Sequence, residues 1–288
     1  MSSLLDLPLE LLYSISAAVS PADIVNLACS CKQLLESSKA SLARHQKLHS
    51  ELGFVHDRDA LTVPTVLRRV MSQPHTQWHI RKLEAWGSRE GWSRWKNYPS
   101  NGGGYGYVYV SGDGDANDRF LAWVDRWRSH TYLDSAFFSK AELGRYRQIM
   151  LRELRLSEEM TKKWMDLLES GYDEPLKVIL IALCEGLREL SYATYDPTGC
   201  DAEGDPLSML STSIRSIYSL GSPQSCQWPV GFRALHSIII SEPSGYQHRY
   251  NSFSSDSATV APLFLLPAIR ELRLNLIGYR ESGDYVWE

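Results

Sequence analysis

The chain has 288 residues and a formal net charge of −4, and it is 43% hydrophobic and 22% charged. These are ordinary values for a globular protein long enough to hold two domains. The slight acidity, without any domain-scale basic run, excludes a general nucleic-acid or anionic-membrane binder. At the N-terminus, Pro8 and Glu10 predict a helix start, because proline suits the first turn and the acid meets the positive end of the helix dipole. Pro8, Leu11, Leu12, Ile15 and Val19 then recur at three- and four-residue steps, one face of a helix. Ser20-Pro21-Ala22-Asp23 predicts a second capped start, followed by the stripe Ile24, Leu27, Ala28 and Cys31. Ser30-Cys31-Lys32-Gln33 reads as a third capping pattern, leading into Leu34 and Leu35. Three short helices bury their own apolar faces poorly, so apolar surface should remain for a partner or for the rest of the chain. The plain alternative is an N-terminal helical cap on a larger domain.

Leu7-Pro8-Leu9-Glu10, Leu11-Leu12, Asp23-Ile24 and Cys31-Lys32-Gln33-Leu34 stand in the order and spacing of an F-box, and residues 4–48 resemble that family. Two positions depart from its pattern. Leu34 stands where many members have an aromatic, and Ala17-Ala18 replaces larger apolar residues. The resemblance implies that Leu7, Pro8, Leu11, Leu12, Ile15, Ile24, Leu27, Cys31 and Leu34 supply the apolar faces of the module. Some would pack internally and some against a Skp-type adaptor. Through the adaptor it further implies cullin and RING subunits, and an unidentified protein target.

The domain reading is 1–50 F-box, 51–96 connector and possible first repeat, 97–118 Gly/Asp-rich surface insertion, and 119–288 target-binding body. Helical patterns are expected at 65–71, 119–127 and after Ser157, where Met160, Trp164, Leu167 and Leu168 share a face. Residues 79–86 alternate like a strand. Leu187-x-x-Leu190-x-Tyr192, Leu235-x-x-Ile238-x-Ile240 and Ile269-x-x-Leu272-x-Leu274 repeat one phrase at spacings of 48 and 34 residues. Each follows an apolar, plausibly helical segment, at 176–183, 207–218 and 260–266. Ile80-x-x-Leu83 and Leu151-x-x-Leu154-x-Leu156 are candidate further members. The spacing exceeds the roughly 20–29 residues of standard leucine-rich repeats, but helix-then-strand repetition is their unit. The expected fold is therefore α/β, mixed helix and strand. It is a three-helix F-box followed by an irregular leucine-rich-repeat-like helix–strand solenoid, similar to a fungal class of F-box protein. A generic α/β body with a fortuitous Leu-x-x-Leu rhythm is the alternative. No WD or kelch period occurs.

Cys29, Cys31, Cys184, Cys200 and Cys226 are odd in number and scattered, and no signal peptide or glycosylation sequon is evident. Reduced thiols in the cytoplasm, the nucleus or both are expected. The longest apolar run, 178–184, is far short of the roughly 18 residues of a membrane span, so no membrane partner is expected. Catalytic motifs are absent. Gly102-x-Gly104 fails as a dinucleotide loop because its sixth position is Tyr107. Asp113-x-Asp115 fails as a calcium loop because its sixth and twelfth positions are Asp118 and Val124. His45 and His49 share a helix face but lack further ligands, and read as solvent-facing. Cys29 and Cys31 have no second pair, and no Gly-x-Ser-x-Gly elbow occurs. Trp86, Trp92 and Trp95 read more readily as packing than as a binding surface. No catalytic, cofactor-binding or metal residue is expected. The functional expectation is a non-catalytic substrate receptor of an SCF-type ubiquitin ligase. Its alternatives are an adaptor-bound scaffold outside a ligase and an unrelated α/β enzyme.

Overall fold

The computed structural model describes Leu4 and residues 7–57, 59–86, 89, 91–92, 95, 135–193, 206–219, 226–241 and 257–275. The expected 97–118 insertion and the 119–127 helical pattern lie outside these residues. Three helices open the chain, α1 (Leu9–Ala18), α2 (Ile24–Ser30) and α3 (Lys32–Leu52). Glu10 sits in the first turn of α1 as its sequence predicts, while Pro8 stands one place earlier than expected, at the N-cap and without a side-chain capping bond. The other two expected caps do not form. Ser20 Oγ donates to the Asp23 carboxylate at 2.7 Å, so neither side chain caps α2, which begins at Ile24. Ser30 Oγ donates back to the Asn26 carbonyl, and Cys31 stands at the α3 N-cap without a side-chain bond. Both hydroxyls find a nearer acceptor, the usual competition between local side-chain bonds and caps.

Helix α3 is 21 residues long and passes the expected boundary at residue 50. Gly53 turns it directly into β1 (Phe54–His56), a strand its sequence did not announce. Leu12, Ile24, Ala28 and Leu34 are buried outside the contiguous core of the body. Ser16 Oγ meets Ser37 and Ser38 Oγ at 3.4 and 3.2 Å, so small hydroxyls carry the α1–α3 interface and satisfy one another.

The body alternates helices and strands. After β1 come α4 (Thr62–Ser72), β2 (Lys82–Trp86), α5 (Lys140–Arg152), α6 (Glu158–Glu169), α7 (Glu174–Leu183) and β3 (Glu189–Ala193). They are followed by α8 (Pro206–Ser219), α9 (Val230–Ala234), β4 (Ser237–Ser241), α10 (Ser257–Val260) and β5 (Glu271–Asn275). The five strands form one parallel sheet in the order β1-β2-β3-β4-β5. A parallel neighbour cannot be reached by a hairpin, so a crossover joins each strand to the next, and its described parts are helices and turns. Among the described strands the order never reverses, so they form no switch-point crevice of the kind that holds nucleotides in doubly wound folds.

Four carbonyls set the register. Gly53 O accepts from both Arg81 N and Lys82 N, Arg81 O from Arg188 N and Glu189 N, Arg188 O from His236 N and Ser237 N, and His236 O from Arg270 N and Glu271 N. Each strand start therefore bends in the same way. The bend accounts for the Leu-x-x-Leu-x-Leu rhythm, in which a three-residue step spans the bend and a two-residue step follows the pleat. Leu52, Ile80, Leu187 and Leu235 are buried before the bend, and Val55, Leu83, Leu190 and Ile238 are buried after it. Ala85, Tyr192 and Ile240 form the second buried row.

Ile80-x-x-Leu83 thus belongs to the series. Leu151-x-x-Leu154-x-Leu156 does not: Leu151 lies in α5, while Leu154 and Leu156 are buried in the α5–α6 link. The reason is the Ser139–Glu142 capping box, a legible signal that starts α5 and carries the chain into helix. Ser157 caps α6 as expected, accepting from Met160 N, though Thr161, Trp164, Met165 and Leu168 are its buried side chains. Close approach also fixes α9. A Cβ on Gly231 would stand 1.8 Å from Ile181 O, so α9 crosses α7 at backbone contact.

A buried ionic network joins three of these segments. Asp57 follows β1, Arg89 follows β2, and Asp173, Glu174 and Lys177 begin α7. Each is at most 2% exposed. Lys177 Nζ lies 3.1 Å from Asp57, 3.4 Å from Asp173 and 3.2 Å from Glu174, and Arg89 lies 2.6 Å from Asp173. The Arg89 guanidinium also donates to the Asp57 carbonyl. Burial alone would lower the Lys177 ammonium, but Asp173, Asp57 and Glu174 outweigh it and hold it well above its ordinary value. Burial likewise opposes ionisation of Asp173, and Lys177 and Arg89 reverse that to keep it low. Lys177→Met removes one of the two cations that Asp57, Asp173 and Glu174 are buried with and leaves Arg89 to offset the three carboxyls. We expect a loss of about 3–5 kcal/mol in urea unfolding with the m-value unchanged.

Candidate functional site

The nine module residues divide by exposure. Leu12, Ile24 and Leu34 are buried, Leu7, Ile15, Leu27 and Cys31 are partly buried, and Pro8 and Leu11 are exposed. Leu12, Ile24 and Leu34 are therefore unavailable to a partner. The 3.6-residue period could not assign them inward, because neighbouring leucines share the stripe's edge. Exposed large apolar side chains of the N-terminal segment outside the nine are Leu4, Leu9, Tyr13, Val25 and Leu35, at 41–56%.

The outer face of the sheet is polar and paired. Phe54, Lys82, Glu189, Ser237 and Glu271 make one cross-strand row, and His56, Glu84, Ser191, Ile239 and Arg273 the next. Lys82 Nζ lies 2.5 Å from Glu189, Ser237 Oγ donates to Glu271 at 3.0 Å, and Arg273 lies 2.6 Å from Glu271. These bonds hold the exposed Glu271 carboxyl below its usual range, the Arg273 bond first and the Ser237 bond second.

The module meets the body through histidines. His45 on α3 is 7% exposed and His79, just before β2, is 1% exposed, with Nδ1 of the first 3.0 Å from Nε2 of the second. The expectation of two solvent-facing histidines is therefore corrected. His49 is exposed, but α3 packs against the body at His45, a contact no local pattern announces. Burial first, then His45, His49, Arg81 and His75, push the His79 imidazole down to about 4. His45 is lowered as well, by burial and then by Arg44 and His75. Among the described residues no group of three or more His, Cys, Asp or Glu side chains could hold a metal.

Trp95 is fully buried and donates to Gly171 O at 2.7 Å, and partly buried Trp92 donates to Glu169 O at 3.1 Å. Both pack with Phe137 and Phe138, so these two tryptophans are packing residues; the Trp86 side chain lies outside the described set. Cys29 is exposed and Cys31 partly buried, while burial raises the Cys184 thiol. An open groove between α5 and α6 is lined by Lys140, Arg147, Glu158 and Lys162 around Leu143 and Met165, and it gathers no catalytic constellation. No helix of the described residues is long and apolar enough to cross a membrane. Comparison with family models, characterised proteins and solved structures finds no match.

The histidine contact generates a pH prediction. Histidine in the unfolded chain takes up a proton near pH 6.5, whereas folded His79 does so near 4. Above pH 6.5 both states are neutral there and nothing is lost. As pH falls from 6.5 toward 4 the unfolded state binds the extra proton, and stability drops by roughly 1–3 kcal/mol. Urea unfolding at stepped pH should show this slope, and His79→Gln should flatten it.

Proposed function

We propose that the chain is the substrate receptor of an SCF-type ubiquitin ligase. In this reading α1–α3 are an F-box that docks a Skp-type adaptor, and the β1–β5 body is an irregular leucine-rich-repeat-like solenoid that holds a protein target. The sequential, all-parallel strand order and the repeated strand start support the solenoid. One observation carries the docking. Leu4, Leu9, Leu11, Tyr13, Val25 and Leu35, six of the ten large apolar side chains exposed among the described residues, lie in the first 35 residues. Scattered exposed apolar residues are normal, but concentration in one small module marks an interaction surface.

The receptor performs no bond chemistry in this reading. Ubiquitin transfer belongs to the conjugating enzyme that the cullin and RING subunits recruit. The receptor fixes the target within reach and so raises its effective concentration. A scaffold that binds the adaptor outside a ligase would share the module surface, and co-purification of cullin separates the two.

The test is binding of the purified chain to the Skp-type adaptor. Leu11→Asp with Val25→Asp should weaken it at least tenfold while shifting unfolding by no more than about 0.5 kcal/mol, since both side chains are exposed. Leu12→Ala should instead cost about 2–4 kcal/mol of module stability, because Leu12 is fully buried. A wild-type chain that ignores the adaptor sinks the reading.

A further inference from the structure

The residue just before β2, β3, β4 and β5 is basic in turn: Arg81, Arg188, His236 and Arg270, with His236 the neutral member, its Nε2 lying 3.4 Å from Arg188 Nη1. The doubly accepting carbonyls place these four in register across β2 to β5. Arg188 and Arg270 are exposed, and Arg81 and His236 are partly buried. Neighbouring parallel strands lie about 4.8 Å apart, so the four form a strip of roughly 14 Å, the span of about four extended residues. Like charges directly across strands oppose folding. The carboxylates of the adjoining row do not relieve them, because Lys82 holds Glu189 and Arg273 holds Glu271. Among the described residues Arg81, Arg188 and Arg270 form no ion pair.

Their own bonds fix them in place. Arg81 stacks 3.9 Å over Trp78 and donates to Gly186 O at 3.2 Å, and Arg188 donates to Ala234 O at 3.3 Å. The arginines also disfavour charge on their neighbours, after burial. Burial and then Arg188 lower the Arg81 guanidinium, with Glu185 opposing, and burial followed by Arg188 and Arg270 lowers His236.

We propose that this strip receives an extended acidic segment of a target protein, whose carboxylates supply the missing counter-charge. The proposal rests on the receptor reading only in calling the bound protein a target. A continuous phosphate backbone fits less well. The strip is about 14 Å long and carries three arginines, enough for a few carboxylates of a short segment and too few for a polyphosphate backbone, and the whole chain has a net charge of −4.

The experiment uses the full chain and a fluorescein-labelled twelve-residue peptide of alternating Glu and Gly, read by anisotropy. Wild type should bind it, less tightly as salt rises. Arg188→Glu with Arg270→Glu should weaken binding at least tenfold, and Arg188→Gln with Arg270→Gln by a smaller factor, with melting unchanged. Lys162→Glu with Lys163→Glu, two exposed lysines on α6, should leave it unaltered. No peptide binding, equal loss in the α6 variant, or strip-dependent binding of oligothymidylate without peptide binding would each overturn the proposal. Adaptor binding is measured on the same proteins. Its failure alone removes the receptor reading and leaves the strip standing, while failure of the peptide alone does the reverse.

Discussion

Four backbone carbonyls, each accepting two consecutive amides from the next strand, hold the body of this protein in register. The arrangement repeats at every strand junction from β1 to β5. It forces the chain to bend as each strand begins, which turns a three-residue step and then a two-residue step toward the same interior. Leucine and isoleucine at those steps fill one continuous core. Parallel pairing without a reversal of order then requires a crossover between each pair of described strands.

The first crossovers carry an added constraint. Buried Asp57, Arg89, Asp173, Glu174 and Lys177 tie the end of β1 and the segment after β2 to the start of α7. A buried ion network contributes little net stability compared with apolar packing, yet losing one partner is costly. It therefore specifies how these segments meet more than it strengthens their meeting. Arg89 and Asp173 are 84 residues apart in the chain, so the network closes the longest connection of the sheet.

Surfaces on the two halves differ in kind. The N-terminal module exposes large apolar side chains while its small serines close the α1–α3 interface. The sheet exposes paired charges, bordered by a row of basic residues. The first surface is apolar and the second polar, so salt acts mainly on the second. The His45–His79 contact couples the two halves through buried neutral imidazoles.

By itself the sequence determined the element types that rest on local periodicity. These include the three opening helices, the helix after Ser157, and the strands built on Ile80–Leu83, Leu187–Leu190, Leu235–Ile238 and Ile269–Leu272. Local chemistry misled where two acceptors competed, as at Ser20 and Ser30, and where Leu-x-x-Leu fell inside a capped helix at Leu151. Strand β1 escaped because its three residues carry too short a pattern. Tertiary structure alone decided which of the nine module residues face inward. It also decided that His45 is buried, that five charges from distant segments share one interior, and that three arginines and a histidine stand in a line. Each of these depends on residues far apart in the chain meeting across a packed interface or a strand register, and no window of local sequence carries that distance.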